Sequence, residues 1–508
     1  MKDKLTIKII ACLLLVAMLF SITACSKQQS VSQEDGTQSK TSQKGCDEQK
    51  TAETKDAGKK VTLTVVVQNN VESFLPGDNE NKNAIIDYLK EGSGFDFKWI
   101  ILPKDQPTEK LNMMMASGDD LDVVRLVDRN LFGAYLAQKA LAPLDEYIPD
   151  CPNMQKFIPE ETWAPVTSKG KIYAVGIPAS YEATSSIVVR QDWLDELGLK
   201  VPVTPDDYRN ILIALKQKTE YPFSCIGLSA VGGFAGAFGL GTTYAARNDK
   251  VVYTYIEPEA KEYLTYMNKL YKEELIDPEC PINKSASLKE KVITNKVGMS
   301  VLGWAEMLPI DNDFKVKVPN GKLNVIAPPI GANGESGFAK TSPLYCMLSV
   351  PAKSKHKEEA MQFLDFMCKK EVHTFISFGE EGKHFIRENG EVKLTAEYQN
   401  WRWQMYYVLV DTPEAFSVRC RDKGFKPYFD QMVPHATLRD ISQLTPPHDE
   451  VSSIASDLWK TTEEYYMKMI TGDMPIEKFD VYVEQWKARK GEEALKVLNE
   501  WYVNEYKK

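Results

Sequence analysis

Between Val61 and Val124 the chain alternates β-rich runs with stretches of helical periodicity, and this restricts the fold more than any other feature. "VTLTVVV" (Val61 to Val67) is a β-branched run suited to a strand buried on both faces. Asn83 to Lys90 reads as a helix, and "DFKWIIL" as a second strand. "TEKLNMMMASGDDLDVVRLV" then supplies an amphipathic helix, a Gly-Asp turn and a short strand at Val123 and Val124. Strand, helix, strand, helix, strand is the order of a mostly parallel sheet with helices on both faces, because each crossover must return the chain to the same edge. The expected class is α/β.

Further along, "LFGAYLAQKALAPLDEYI" reads as a helix stopped by proline, and "GKIYAVGIP" as a strand ending at Pro178. The character then changes. "SIVVRQDWLDELGLKVPVTPDDYRNILIALKQ" gives a strand, a short helix and a longer helix, with Thr204 as N-cap and Pro205 at the first helical position. Trp193 and Leu197 are expected on the buried face of the short helix, with Arg190 ordering the turn before it. "VGMSVLGWAEML" is a strand running into a helix, "KLNVIAPPIG" another strand, and "CMLSVPAKSKHKEEAMQFLDFMCKK" a strand, turn and helix. From Ser452 onward the pattern is almost entirely helical.

The N-terminus has a different logic. Lys2, Lys4 and Lys8 precede an apolar run from Ile9 to Phe20. That run is too short to span a bilayer, which takes roughly twenty residues, and it reads as an export signal. It ends at Ile22-Thr23-Ala24-Cys25, which resembles a bacterial lipobox. The resemblance implies cleavage before Cys25 and acylation of its thiol and new amine; a plain secretory signal with an incidental cysteine is the alternative. More than one acyl chain is needed for durable anchoring. Residues 26–60 are rich in Ser, Gln, Lys, Thr, Asp and Glu and nearly devoid of large apolar side chains, so they read as a tether.

The remaining roughly 450 residues exceed what one core usually serves, so more than one lobe is expected. A formal net charge of −9 gives no basic face for nucleic acid. Beyond Cys12 and Cys25, the cysteines are scattered and odd in number, with no CxxC pair; buried free thiols are expected rather than a disulfide framework. The five histidines are dispersed, without metal-site spacing, and neither a metal nor another cofactor is expected.

Taken in order, "KLNMMMASGDDLDVV", "ALAPLDEYI", "KGKIYAVGIP", "VVRQDWLDELGLKVPVTPDDY", "VGMSVLGWAEM", "SVPAKSKHKEEAMQFLDFM", "FGEEGKHF" and "MITGDMPIEKFDVYVEQWKARKGEEALKVLNEWY" resemble the extracellular solute-binding family 1. These are substrate-binding lipoproteins of bacterial ABC importers, and the resemblance is to a Firmicutes-type branch of large oligosaccharide binders. It implies a two-lobed, type II periplasmic-binding-protein fold with a hinge between the lobes and a helical C-terminal region. Lobe one would comprise 61–181 and 342–395; lobe two would comprise 182–341 and 396–508, the latter with the C-terminal helices; 1–24 would be signal and 25–60 tether. The crossings would fall at "PASYEATSS" and "FAKTSP". Implied partners are an oligosaccharide or related solute, a membrane permease and, through lipid, the membrane; the protein would be a monomer and not an enzyme. An exported glycosidase, or a peptide-binding or sensor lipoprotein, are the other readings. Many relatives carry a calcium-binding loop after the helix matching "DDYRNILIALK"; here "QKTEYPFSCIGLS" lacks the alternating carboxylates that Ca²⁺ requires.

A sugar presents a flat apolar C–H face and a rim of hydroxyls, so its site needs aromatic platforms and planar polar groups. Trp304 stands where a buried strand ends, and the resemblance also implies a cleft aromatic there. Glu306 could accept from hydroxyls. Tyr181 and Glu182 lie at the first crossing. Asn69, Asn70 and Phe74 follow the first strand, and Arg125 follows Val124. Phe234 in "VGGFAGAFGLGTTY" and Trp401 and Trp403 in "YQNWRWQMYY" complete the candidates. For each the alternative is structural: core packing for the rings, a turn for the asparagines, a surface ion pair for the charges. For the two tryptophans, alternation on a strand would place both on one face, whereas helical spacing would split them.

Overall fold

The structure, a computed structural model, describes residues 60–68, 73–228 and 231–507. The tether, Cys25, Asn69 and Asn70 lie outside the described residues.

Two separate sheets organise residues 60–507. The first has the strand order Asp96–Ile101, Thr62–Val67, Val123–Leu126, Leu344–Ser349, Val175–Pro178. Its first three strands are parallel, and the last two run antiparallel to their neighbours. Strand alternation sends Leu63, Val65 and Val67 into one apolar cluster and Val66, Val124 and Leu126 into another, so both faces are covered. The helix after the first strand runs Ala84–Ser93, capped by the Asn83 side chain, which accepts from the N–H groups of Ile85 and Ile86.

The second sheet has the order Leu323–Ile326, Ser185–Arg190, Val297–Gly303, Tyr221–Ser224. Ile187, Val189 and Met299 point to one side, into the largest cluster; Val188, Val325 and Leu302 point to the other. The helix Pro205–Leu215 starts as the sequence leads one to expect, with Thr204 and Asp207 forming a reciprocal capping box. Arg190 donates to both oxygens of Asp192 and lies 3.7 Å from the Trp193 ring, which fixes the turn at the end of its strand. Trp193 and Leu194 form the buried face of the short helix; Leu197, expected there, is only half-buried, at the C-cap. The C-terminal helices close this lobe: Tyr466, Met469, Tyr482, Trp486 and Leu498 bury with Tyr253, Tyr263 and Met267.

The chain passes from the first sheet to the second after Pro178 and returns before Leu344. A third passage differs from the sequence-based boundary at residue 396. Tyr398, Trp401, Trp403 and Tyr406 through Val410 bury in the first lobe's cluster, and Met432 and Ala436 in the second's. The passage therefore lies between Val410 and Met432. The reason is local: residues 396–406 form a run of 3₁₀ turns rich in aromatic rings, and those rings fill the first core.

All six described cysteines are unbridged and buried; the closest pair is Cys225 and Cys280, with sulfurs 3.6 Å apart.

Candidate solute-binding site

The two crossings run side by side. Ala179 N–H donates to Pro343 O at 2.7 Å, Thr341 N–H to Glu182 O at 3.1 Å, and Thr341 Oγ1 to Tyr181 O at 2.7 Å. These bonds tie two strands of irregular chain into one hinge. Glu182 itself is held by salt bridges from Lys340 at 2.7 Å and Arg439 at 3.2 Å, with its side chain 53% exposed.

An aromatic cluster forms against this hinge. Trp304 opens the helix Trp304–Lys317 directly after the strand Val297–Gly303, so its ring emerges at the C-terminal end of that strand, the side where α/β sheets carry ligands. Its N–H donates to Thr184 O at 3.1 Å, which couples it to the first crossing. The Trp304 ring meets Tyr181, Phe416, Phe425 and Phe429 edge-on, with centroids 5.4–5.8 Å apart. Tyr181 stacks on Phe416 at 4.4 Å. Each edge-to-face contact sets the rim of one ring on the face of another, so the cluster is interlocked around Trp304. Trp304 and Tyr181 are only half-buried. Burial and then the nearby Asp411 push the Tyr181 phenol above its usual pKa, so it is a hydroxyl donor at neutral pH.

Beside the cluster, Thr184, Ser185, Val301, Gly303, Glu306 and Phe338 help to line a cavity of about 420 Å³. Both Glu306 oxygens are already engaged, one by the Gly303 N–H and one by Ser285 Oγ, each at 2.9 Å. Its charge at the helix start complements the dipole.

The first lobe brings polar groups to the same hinge. Asp411 accepts from Ser180 Oγ at 2.9 Å and Arg419 Nη2 at 2.7 Å, joining the first crossing to the helix Pro413–Asp422. Phe416 and Arg419 are three residues apart on that helix, hence on one face. Arg125, near the end of its strand, lies 4.7 Å from the Tyr345 ring. Burial opposes its charge, but Cys346, Tyr345 and Asp411 hold its pKa above the usual arginine value.

Three candidates are not surface groups. Phe234 is 0% exposed and packs against Tyr208 and Phe223. Trp401 and Trp403 are each 3% exposed, and their indole N–H groups are spent on Ile376 O and Asn400 O. Rings enclosed in this way have no face to offer a solute, so the expectation of a solute contact is corrected to core packing. Phe74 lies half-buried over Trp403 and Tyr406. Sequence reasoning passed over Phe416, Phe425, Phe429, Asp411, Arg419 and Arg439. The Phe416 and Arg419 spacing was the one available signal; nothing local links residue 411 to residue 180.

Away from the hinge, the lobes also touch at the rim. Arg129, first residue of the helix Arg129–Ala137, donates to Ser442 O at 2.7 Å and Thr445 O at 2.5 Å. Burial pulls its pKa down to about 10, still well above neutrality.

Two sheets with separate cores, a paired-crossing hinge and a lined crevice beside it define a two-lobed binding protein. The chain belongs to the family described as bacterial extracellular solute-binding protein, which it matches over residues 76–373. It is 23% identical to lipoprotein LipO of Bacillus subtilis over 90% of this chain and 95% of LipO. It is also 23% identical to the polygalacturonan/rhamnogalacturonan-binding protein YtcQ of the same organism, over 80% of this chain and 84% of YtcQ. The fold matches the Streptococcus pneumoniae ABC-transporter substrate-binding protein FusA in complex with kestose, with a TM-score of 0.62 at 18% identity, covering 87% of this chain and 98% of FusA.

Proposed function

We propose that this protein captures an oligosaccharide between its lobes and delivers it to the permease of an ABC importer, tethered to the outer face of the cell membrane through lipid on Cys25. The observation that carries the reading is the half-buried Trp304 and Tyr181 pair at the hinge, with Thr184 and Ser185 beside it. Flat aromatic faces beside hydroxyl and backbone groups suit a pyranose ring, whose two kinds of surface both need partners. Glu182, Glu306, Phe74 and Arg125 are the further contacts of this reading. YtcQ and FusA, which bind polysaccharide and fructooligosaccharide by name, support the ligand class and, in FusA, the transporter. LipO supports the lipoprotein assignment. Closure would be a population shift driven by contacts made only when the lobes meet.

The test is a thermal-shift screen of the full-length protein in detergent against oligosaccharides and peptides. A binder raises the melting temperature as RT ln(1 + [L]/Kd). At least one oligosaccharide is expected to do so, and Trp304→Ala to abolish the rise. Stabilisation by peptides alone, or conversion of the sugar to products, would overturn the reading.

A further inference from the structure

Near the hinge, two largely buried arginines of the described residues, Arg125 and Arg419, stand against one buried carboxylate, Asp411. Arg125 is 8% exposed, yet no oxygen of the described residues accepts from its guanidinium, and its buried Nε has no partner. The Cys346 thiol lies beside it, the Tyr345 ring lies under the guanidinium, and Asp411 acts on its charge without a direct hydrogen bond. Arg419 is the second cation: one of its Nη groups reaches Asp411, and the other is buried and unpaired. Asp411 makes none of its hydrogen bonds to Arg125. One of its oxygens accepts from Thr412 N–H and the other from both Ser180 and Arg419. Next to Arg125, Gln68 donates to the Arg125 carbonyl at 2.7 Å, while its own Oε1 is buried without a donor.

A buried guanidinium without an oxygen acceptor is costly, because leaving water takes away its hydrogen bonds and a ring and a thiol return them only in part. A buried Arg that no oxygen of the described residues serves is therefore positioned for an acceptor from outside. The guanidinium fork matches a planar carboxylate through two parallel N–H···O bonds. The neighbouring Oε1 of Gln68 needs a donor, which a sugar hydroxyl supplies. This corner adjoins the aromatic cluster, since Ser180 bonds Asp411 while the next residue, Tyr181, stacks on Phe416.

We infer that the solute is an acidic oligosaccharide whose uronate carboxylate is received by Arg125, with Arg419 adding charge and Gln68 accepting from an adjacent hydroxyl. The inference rests on the oligosaccharide reading above and narrows it.

It is tested by calorimetry on the full-length protein in detergent at constant ionic strength. The probes are trimers of galacturonate, glucuronate and mannuronate, their carboxyl-reduced neutral counterparts, and one sulfated galactose trimer. At least one uronide is expected to bind about tenfold or more tightly than its neutral counterpart, the effect of a charge-assisted pair. Arg125→Met is expected to bring the two within about threefold, and Arg125→Lys, which keeps the charge without the fork, to fall between. Neutral trimers bound as tightly as the uronides would overturn the carboxylate assignment and leave the oligosaccharide reading standing. A sulfated trimer bound more tightly than every uronide would also overturn it. Binding of no sugar at all would sink both. The comparison of acid with neutral sugar needs only the unaltered protein, so it decides even if the variants fold poorly.

Discussion

The two lobes bring opposite chemistry to the hinge. The second lobe contributes Trp304 and Phe429, half-buried rings arranged edge to face. The first contributes Arg125 and Gln68, polar groups that the described residues do not fully satisfy. The helix Pro413–Asp422 touches both, giving Phe416 to the aromatic side and Arg419 to the polar one. A flat apolar face and a polar rim are thus read by different bodies. If the proposed site is right, neither body alone completes it, and ligand affinity concentrates in the form where both meet the solute.

The largest expected effect comes from breaking the polar side. Asp411→Ala removes the partner of Arg419 and of Ser180 and leaves a buried cation alone. A loss of about 3–5 kcal/mol in urea unfolding is expected. The aromatic side should cost less: Trp304 is half-buried, so Trp304→Ala should lower stability by about 2–3 kcal/mol, below a full core truncation, while removing the ligand-induced thermal shift. A stability loss as large as that of Asp411→Ala would mean that Trp304 is a core residue and the contrast false.

The rim contact tests whether the lobes act as separable bodies. Arg129→Ala removes two charge-assisted bonds across it and should weaken this contact between the lobes by about 1.5–2 kcal/mol. Small-angle scattering of the ligand-free protein should then show a larger radius of gyration than the parent, and an unchanged radius would remove Arg129 as a latch.

Acid should affect both lobes by a shared route. Burial lowers the pKa of His373 and His384 on the first lobe's side and of His435 and His448 on the second's. With folded values below the unfolded value of about 6.5, the unfolded chain binds more protons in this range, so stability falls as pH drops through about 6.5. His384 Nδ1 accepts from Glu380 N–H at 3.0 Å, a bond that protonation there destroys. His384→Asn, which keeps an acceptor without titrating, should flatten the dependence of melting temperature on pH between 7.5 and 5.5 (the assay range, about one unit either side of the unfolded value). The smallest effect is expected at the hinge surface: Glu182→Gln disrupts exposed pairs to Lys340 and Arg439 and should change stability by less than about 1 kcal/mol.

Much of the architecture was legible in advance. The continuous β-branched run in "VTLTVVV" and the Val123-Val124 pair report two-sided burial directly, and Thr204-Pro205 marks a helix start with its own chemistry. The candidate site was legible only in part. Trp304 and Tyr181 stand next to strand ends, so local pattern points at them. Phe234, Trp401 and Trp403 show why ring content alone misleads: a sugar platform and a core ring have the same composition, and only enclosure by neighbours separates them. "YQNWRWQMYY" satisfies neither strand nor helix periodicity because it folds as 3₁₀ turns pressed into the first core.

Residue order alone set the α/β class, the chain's passages near residues 180 and 340 and the placement of an aromatic at the end of a buried strand, because these depend on periodicity and short-range chemistry. The third passage, the union of Tyr181 with Phe416 and of Ser180 with Asp411, and the unmet donors of Arg125 were decided only by tertiary structure. They join residues more than two hundred positions apart, or depend on which oxygens burial leaves within reach, and no local pattern carries that information.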